Sequence, residues 1–322
     1  MPAHTILVLS NPAARHLALL ERLPRECRLV VGETAEIFDS AAEEADAVLC
    51  GGAHRALLQQ IWPRLKSVRW IHALAAGLDG LLFPGLVESP VPLTNSRGVF
   101  ARSLAEFAIA GMMWFAKDLN RMRDQQRRRH WEQFDVQEMR NKNLGIVGYG
   151  SIGRETAIRA RAFGVRIHAH KRNATLAHGD PLVDRMYTRE QLPALLSCAD
   201  YLLACAPLTP ETRDLIGEAE FARLKPACVV MNLGRGPVIN ERALIRALEE
   251  KRIRGAVLDV FETEPLPAEN PLWGFENVLL SPHCADHTDT WMEEAMAMFL
   301  SNYERFAAGE PLLNVADKRL GY

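Results

Sequence analysis

The stretch Asn143-Leu-Gly-Ile-Val-Gly148-Tyr-Gly150-Ser-Ile-Gly153 sets a short apolar run directly against a Gly-x-Gly-x-x-Gly spacing. The run predicts a strand over Leu144–Val147, and the glycines predict a turn that binds a dinucleotide. Gly148 allows the tight turn, Gly150 lets backbone approach a pyrophosphate, and Gly153 lets the next helix pack closely on its strand. Ser151 and Ile152 fall at the start of that helix, where unpaired N–H groups and the positive dipole end face phosphates. Arg154–Phe163 reads as an amphipathic helix ending at Gly164, and Val165–Ala169 reads as the next strand, which completes a βαβ unit.

The end of the second strand separates the two nicotinamide dinucleotides. An NAD site usually places an Asp or Glu about 20 residues beyond the glycines to bond the ribose 2′-hydroxyl. No carboxylate occurs here between Glu155 and Asp180, and the strand runs out into His170-Lys171-Arg172. A 2′-phosphate carries roughly two negative charges near neutral pH, so Lys171 and Arg172 would attract it. Taken alone they also read as solvated loop residues. The missing acid beside two added bases favours NADP(H) as cofactor, with NAD(H) as the other candidate.

At 322 residues the chain is long enough for two domains, each with a sizeable core. A formal net charge of -2 argues against nucleic acid or an anionic membrane as the main partner. The basic cluster Arg121, Arg123, Arg127, Arg128 and Arg129 before Trp131 reads as a solvated helix face and loop near the cofactor. Cys27, Cys50, Cys198, Cys205, Cys228 and Cys284 lack metal-ligand spacing and read as buried thiols in a reducing, cytoplasmic compartment; no metal is expected. Cys284 adjoins His283, but neighbours on an extended chain point apart. Met1–Ser10 reads as neither signal peptide nor membrane span.

From Thr5 to about Val99, strand-like Ile6–Leu9, Ala47–Leu49 and Trp70–Ala73 alternate with helical Ala13–Leu20 and Arg55–Ile61, which implies a parallel sheet. A boundary is expected at Asn95-Ser96-Arg97-Gly98, after Pro90 and Pro92. Ser103 is placed to cap a long apolar helix through about Leu119. A second series of strands follows: Leu144–Val147, Val165–Ala169, Tyr201–Ala204, Cys228–Asn232, Gly255–Val260 and Val278–Ser281. A last helix is expected over about Thr288–Ala308.

Ligands of open α/β sheets bind beyond the C-terminal strand ends, so the strand exits decide the chemistry. They carry Asn232-Leu-Gly-Arg235-Gly236, Asp259-Val-Phe-Glu-Thr-Glu264-Pro265 and Ser281-Pro-His283, with Ala75-Ala-Gly-Leu-Asp79 in the first series. Hydride transfer between a dinucleotide and a carbonyl needs a cation to grip and polarise the acceptor, which the planar fork of Arg235 suits. It also needs a proton donor, and an imidazole held beside a carboxylate supplies one. Singly, His283, Arg235 and Glu264 read as ordinary loop residues. Their joint placement at strand exits beside a dinucleotide turn is what marks them.

Over nearly its full length the sequence resembles the D-isomer-specific 2-hydroxyacid dehydrogenase family. The resemblance lies in Gly148-Tyr-Gly-Ser-Ile-Gly153, Pro207-Leu-Thr-Pro-Glu-Thr212, Met231-Asn-Leu-Gly-Arg-Gly236, Leu258-Asp-Val-Phe-Glu-Thr-Glu-Pro265 and Ser281-Pro-His283, in order and at family spacing. It implies that Arg235, Glu264 and His283 are catalytic, and that Asp259 holds the nicotinamide carboxamide. Pro207, Thr212, Leu233 and Gly234, with Arg235, Asp259 and His283, would complete the cofactor contacts. Ala76 and Gly77 would offer backbone N–H groups to the substrate carboxylate, beside Arg235 and His283.

The fold implied is α/β in two domains: a Rossmann-type doubly wound cofactor domain (100–283) inserted into a flavodoxin-like substrate domain (1–99), to which a C-terminal helix (284–322) returns. The active site is expected in the cleft between them. The activity implied is hydride transfer between NAD(P) and a small 2-keto or D-2-hydroxy acid, with glyoxylate and hydroxypyruvate among the substrates. Leu78, Phe100 and Trp131 are candidates to shape the pocket. The segment from Ala108–Phe115 through Asn143 is similar to the family's intersubunit arm and implies a homodimer. The alternative is a dinucleotide-binding interaction protein of the corepressor type, whose mark would be an added interaction tail. One departure stands out: Cys284-Ala285-Asp286-His287 follows His283 where many relatives carry small residues, and Asp286 could reach the cofactor or cap the last helix.

Overall fold

Short apolar runs separated by helices become two sheets in which every strand pair is parallel. The computed structural model describes residues 4–172 and 179–322, so the first three positions of the Met1–Ser10 stretch lie outside the described residues. The chain divides into one unit of Met1–Phe100 with Asp289–Tyr322 and a second of Ala101–Thr288.

In the first unit, β1 (Thr5–Leu9), β2 (Arg28–Gly32), β3 (Ala47–Cys50), β4 (Trp70–Ala73) and β5 (Leu93–Asn95) lie in the order β2-β1-β3-β4-β5, the flavodoxin-like arrangement. The helices α1 (Arg55–Ile61) and α2 (Pro84–Glu88) accompany this sheet, and Leu7, Leu9, Val48 and Ile71 pack with Phe38, Leu58 and Ile61 in one core. The last helix of the chain, α9 (Trp291–Ala308), belongs here, and its Phe299 stacks on Trp70 with ring centroids 5.3 Å apart. The expected helix over Ala13–Leu20 is a 3₁₀ helix, Arg15–Arg22, with no side-chain cap and no acid in its first turn.

The second unit opens with α3 (Ala101–Lys117) and α4 (Leu119–Arg128), and its sheet begins with β6 (Asn143–Val147), α5 (Ser151–Ala162) and β7 (Arg166–His170). β8 (Arg185–Tyr187), α6 (Leu192–Cys198) and β9 (Tyr201–Ala204) follow. The rest comprises α7 (Glu218–Phe221), β10 (Val229–Asn232), α8 (Glu241–Glu249), β11 (Gly255–Leu258) and β12 (Val278–Leu280). The order β12-β11-β10-β9-β6-β7-β8 reverses direction between β6 and β9, the switch point at which doubly wound sheets bind ligands. Buried on both faces, β9, β10 and β11 are fully buried runs, as a covered parallel sheet requires.

Two expected caps are corrected. Helix α3 begins before Ser103, whose hydroxyl instead donates to the carbonyl of Ala285 at 2.6 Å. Asp286 does not cap α9, because that helix starts at Trp291 with Thr290 at its N-cap. The Ser103 bond, with two from Cys284 and Ala285 N–H to Asp259, ties the segment beyond His283 into the second unit. Among the described residues, no helix is long and apolar enough to cross a membrane, and no group of three His, Cys, Asp or Glu is arranged to hold a metal ion.

Candidate active site

The glycine turn is built as its spacing implies. Gly148 has φ +97°, a conformation that disfavours any side chain, and a Cβ there would lie 2.4 Å from the amide nitrogen of Ala206. A Cβ on Gly153 would meet Ile146 Cγ2 at 2.8 Å, which is the close contact of α5 with β6. At Gly150 a Cβ would meet only the carbonyl of Gly148 at 4.0 Å, so this backbone is open to a ligand. Ser151 and Ile152 begin α5 above it. A dinucleotide therefore fits the residues present: two glycines bring backbone together and the third leaves space beside a helix N-terminus.

Around that turn, the backbone N–H groups of Gly148 and Tyr149 both donate to the carbonyl of His170 at 3.0 Å. This bond pair fixes the point from which Lys171 and Arg172 leave β7. Asp180, the first carboxylate after Glu155 in the sequence, accepts from the Tyr149 hydroxyl at 3.0 Å and from Arg154 Nε at 3.1 Å. Burial raises its pKa, but the Leu182 N–H, Tyr149 and Arg154 outweigh it and hold the carboxyl below its ordinary value. Across the switch point, Thr212 Oγ1 donates to Pro207 O at 2.7 Å and accepts from Thr209 N at 2.8 Å, which fastens the loop after β9 onto itself. Leu233 is buried and its N–H donates to Ala204 O.

Three catalytic candidates leave neighbouring strands. β10, β11 and β12 pair in parallel register, Asn232 with Leu258 and Leu258 with Leu280, so Arg235, Glu264 and His283 emerge along one sheet edge. Buried Asn232 shapes the Arg235 loop: its Nδ2 donates to Arg235 O at 3.0 Å and its Oδ1 accepts from Gly234 N at 3.3 Å. Gly236 then presses on the next loop so closely that a Cβ would lie 1.8 Å from Phe261 O. Arg235 Nη1 donates to Gly234 O at 2.9 Å.

His283 Nδ1 lies 2.7 Å from Glu264 Oε2, and Glu264 Oε1 accepts from Phe261 N at 2.9 Å. A carboxylate accepts, so Nδ1 carries the hydrogen and Nε2 is the nitrogen available for exchange. The side chain of His283 is 44% exposed. Its backbone is left-handed, φ +52°, a costly state for a residue with a side chain. Asp259, 1% exposed, holds it there: Oδ1 accepts from Ser281 Oγ at 2.5 Å, Cys284 N at 3.0 Å and Ala285 N at 3.1 Å.

Asn232 and Ser281 thus shape the loops that carry the candidates Arg235 and His283. Their signal in the sequence is a polar residue at or just after the strand end, before a glycine or proline loop. Ala76 and Gly77 follow β4 in the first unit, where Asn95 Nδ2 donates to Ala76 O at 2.6 Å. Asp286 Oδ1 is buried without a hydrogen bond among the described residues, with His287 Nε2 at 3.7 Å; burial pushes its carboxyl pKa up. Of the cysteines read as buried, Cys50, Cys205 and Cys228 are buried and raised to about 12 by desolvation. Cys27 and Cys198 are half-buried and Cys284 is exposed, which corrects the reading of all six as buried.

The NAD-binding domain of the D-isomer specific 2-hydroxyacid dehydrogenases matches residues 109–285. The chain belongs to that family. Glyoxylate/hydroxypyruvate reductase A of Serratia proteamaculans is 32% identical over 80% of this chain and 82% of its own length. Glyoxylate reductase of Aeropyrum pernix is 35% identical over 88% of this chain and 87% of its own. A D-isomer specific 2-hydroxyacid dehydrogenase of Xanthobacter autotrophicus, solved with NADPH and MES, superposes with a TM-score of 0.86 at 27% identity, covering 100% of both chains. This dehydrogenase is therefore an NAD(P)-dependent oxidoreductase of 2-keto and 2-hydroxy acids with a Rossmann-type cofactor unit.

Proposed function

We propose that this dehydrogenase reduces a small 2-keto acid, glyoxylate or hydroxypyruvate, to its D-2-hydroxy acid with preference for NADPH, and catalyses the reverse oxidation. The observation that carries the reading is the His283–Glu264 pair, locked at both ends by Phe261 N–H and by the Asp259-bound loop. A bound nicotinamide supplies the hydride to C2. Arg235 grips the carboxylate and polarises the ketone, a task suited to its planar fork. His283 Nε2 gives its proton to the carbonyl oxygen, which becomes the hydroxyl, and takes it back in oxidation. Glu264 fixes the ring through Nδ1–H, so that the ring nitrogen presented is always the same.

The NADPH preference rests on Lys171 and Arg172, which follow β7 in the sequence where an NAD site usually carries an acidic residue. The test is a panel of 2-keto acids assayed with NADPH and NADH separately, repeated with Lys171→Glu. Higher kcat/KM with NADPH, inverted or erased by Lys171→Glu, is the expected result. An ionic contact of this type is worth roughly tenfold in affinity. Equal efficiencies in the unmutated enzyme would refute the preference.

The same reading includes a homodimer through the arm that follows α3. Trp131 is 93% exposed, and Leu119, Met122 and Val136 on the same arm are exposed as well, an apolar surface that an isologous partner would cover. A monomer mass in sedimentation at micromolar concentration would exclude it.

A further inference from the structure

Lys171 and Arg172 do not stand by themselves at the adenosine end of the sheet. β7 and β8 are parallel neighbours in register, His170 beside Tyr187, so Lys171-Arg172 and Thr188-Arg189 emerge side by side from adjacent strands. Arg189 then reaches the loop beyond β9: its Nη1 donates to the carbonyl of Glu211 at 3.0 Å. That loop is held rigid by the Thr212 bonds to Pro207 and Thr209. The exit of β8 and the exit of β9 are thereby laced together around the ends of β6 and β7, where the glycine turn lies. The Thr209 hydroxyl and the Glu211 backbone N–H hold the Glu211 carboxyl below its ordinary range, and the charges of Arg172 and Arg189 add to that. Beneath them the His170 ring is 7% exposed, and neither nitrogen has a hydrogen-bond partner among the described residues. A buried imidazole must carry an N–H on at least one nitrogen, so the structure retains an unused donor at this spot.

We propose that Arg189 is a third determinant of cofactor choice, completing with Lys171 and Arg172 the seat of the adenosine 2′-phosphate. Glu211, whose backbone carbonyl accepts from Arg189, is the nearby anion whose charge opposes the phosphate. This rests on the NADPH reading above and extends it. Without phosphate, Glu211 neutralises part of the cationic cluster; with phosphate, the two anions compete. The chain thus carries an opposing charge that limits its affinity for the phosphorylated cofactor, and removing that charge sharpens the preference. NADH, which lacks the phosphate, does not enter the competition.

Binding to the full-length enzyme, measured by calorimetry without substrate, separates these roles. The ligands are NADPH, NADH, adenosine 2′,5′-bisphosphate and 5′-AMP. Arg189→Ala is expected to weaken NADPH and the bisphosphate by about three- to tenfold, the range of a single partly screened ionic contact. It should leave NADH and 5′-AMP within twofold. Glu211→Gln is expected to tighten the same two phosphorylated ligands by a similar factor. Arg189→Lys keeps the charge without the fork and should retain most of the NADPH affinity, which distinguishes charge from loop support.

If Arg189→Ala weakens NADPH and NADH alike, the residue only supports the loop and the proposal is overturned. If Lys171→Glu abolishes the phosphate preference while Arg189→Ala and Glu211→Gln leave it untouched, the NADPH reading stands and this extension fails. If wild-type enzyme does not distinguish the bisphosphate from 5′-AMP, the reading beneath both is wrong.

Discussion

Asn232, Asp259 and Ser281 in the second unit and Trp70, His72 and Thr94 in the first are equally removed from solvent, yet they differ in what their hydrogen bonds hold. The first set reaches outward: Asn232 shapes the Arg235 loop, and Asp259 with Ser281 fixes the loop of His283. The second set closes on itself, with Thr94 Oγ1 2.8 Å from Trp70 Nε1 and 2.7 Å from His72 Nδ1 beneath the Phe299 ring. Buried polarity is therefore no mark of function by itself. It marks function where the bonded partner is the backbone of a loop that carries a reactive side chain.

The comparison can be broken most sharply at His283. General acid catalysis by a positioned side chain is worth about 10²–10⁴-fold, so His283→Ala should lower kcat by that factor while NADPH binding stays nearly intact. Wild-type turnover in this variant, under conditions where chemistry limits the rate, would end the mechanism. Asp259→Ala comes next. It removes one acceptor shared by three donors, and the loop that it releases carries a residue in a costly conformation. Misplacement of a reacting group by about 1 Å costs roughly 10²-fold, and a fall of kcat approaching that size is expected. Steady-state and single-turnover rates would show it; an unchanged kcat would mean that the loop holds its shape without Asp259.

Thr94→Val is the matched variant in the other cluster. It leaves Trp70 Nε1 and His72 Nδ1 without their acceptor or partner, and such a group costs about 1–3 kcal/mol. Urea unfolding should report that loss while kcat and both KM values remain those of wild type. A kinetic defect without a stability defect would show that the first unit's cluster also serves the reaction, and the distinction drawn above would dissolve.

What the sequence made legible follows the same line. Gly148 and the central strands are local patterns, whereas the candidates Arg235, Glu264 and His283 stand out only through their joint placement at three strand exits, two of which bring His283 Nδ1 to 2.7 Å from Glu264. The strands not anticipated, β2, β5 and β8, all lie at sheet edges. β2 is mostly half-buried and β5 and β8 are three residues each, so none presents the long apolar run of a fully covered strand. Nor could spacing reveal that Asp259 bonds Ser281, 22 residues away, or that Ser103 bonds Ala285, 182 away. Of the two readings of Asp286, cofactor contact or helix cap, the cap fails because the helix begins at Trp291 and Asp286 Oδ1 is buried.

The smallest effect is a pH dependence of stability set by His72. Burial lowers its pKa to about 3 in the folded chain, against an ordinary value near 6.5 when unfolded. Above pH 6.5 both states hold the ring neutral, and folding is indifferent to this proton. As pH falls below 6.5 the unfolded chain takes up the proton and the folded chain does not, so stability declines until pH approaches 3. The slope is about 1.4 kcal/mol per pH unit, so His72 contributes a loss of roughly 1.4 kcal/mol between pH 7 and pH 5.5. His72→Leu removes the titrating ring and should flatten the decline by that amount, whatever its effect on stability at pH 7. His4, His16, His168 and His170 are also lowered by burial, and their share of the decline persists in the variant. Only the difference between the two pH series isolates His72. Parallel series for wild type and variant would mean that the folded chain admits a proton at His72, and that the Trp70–His72–Thr94 cluster is less closed than the one that holds the active-site loops.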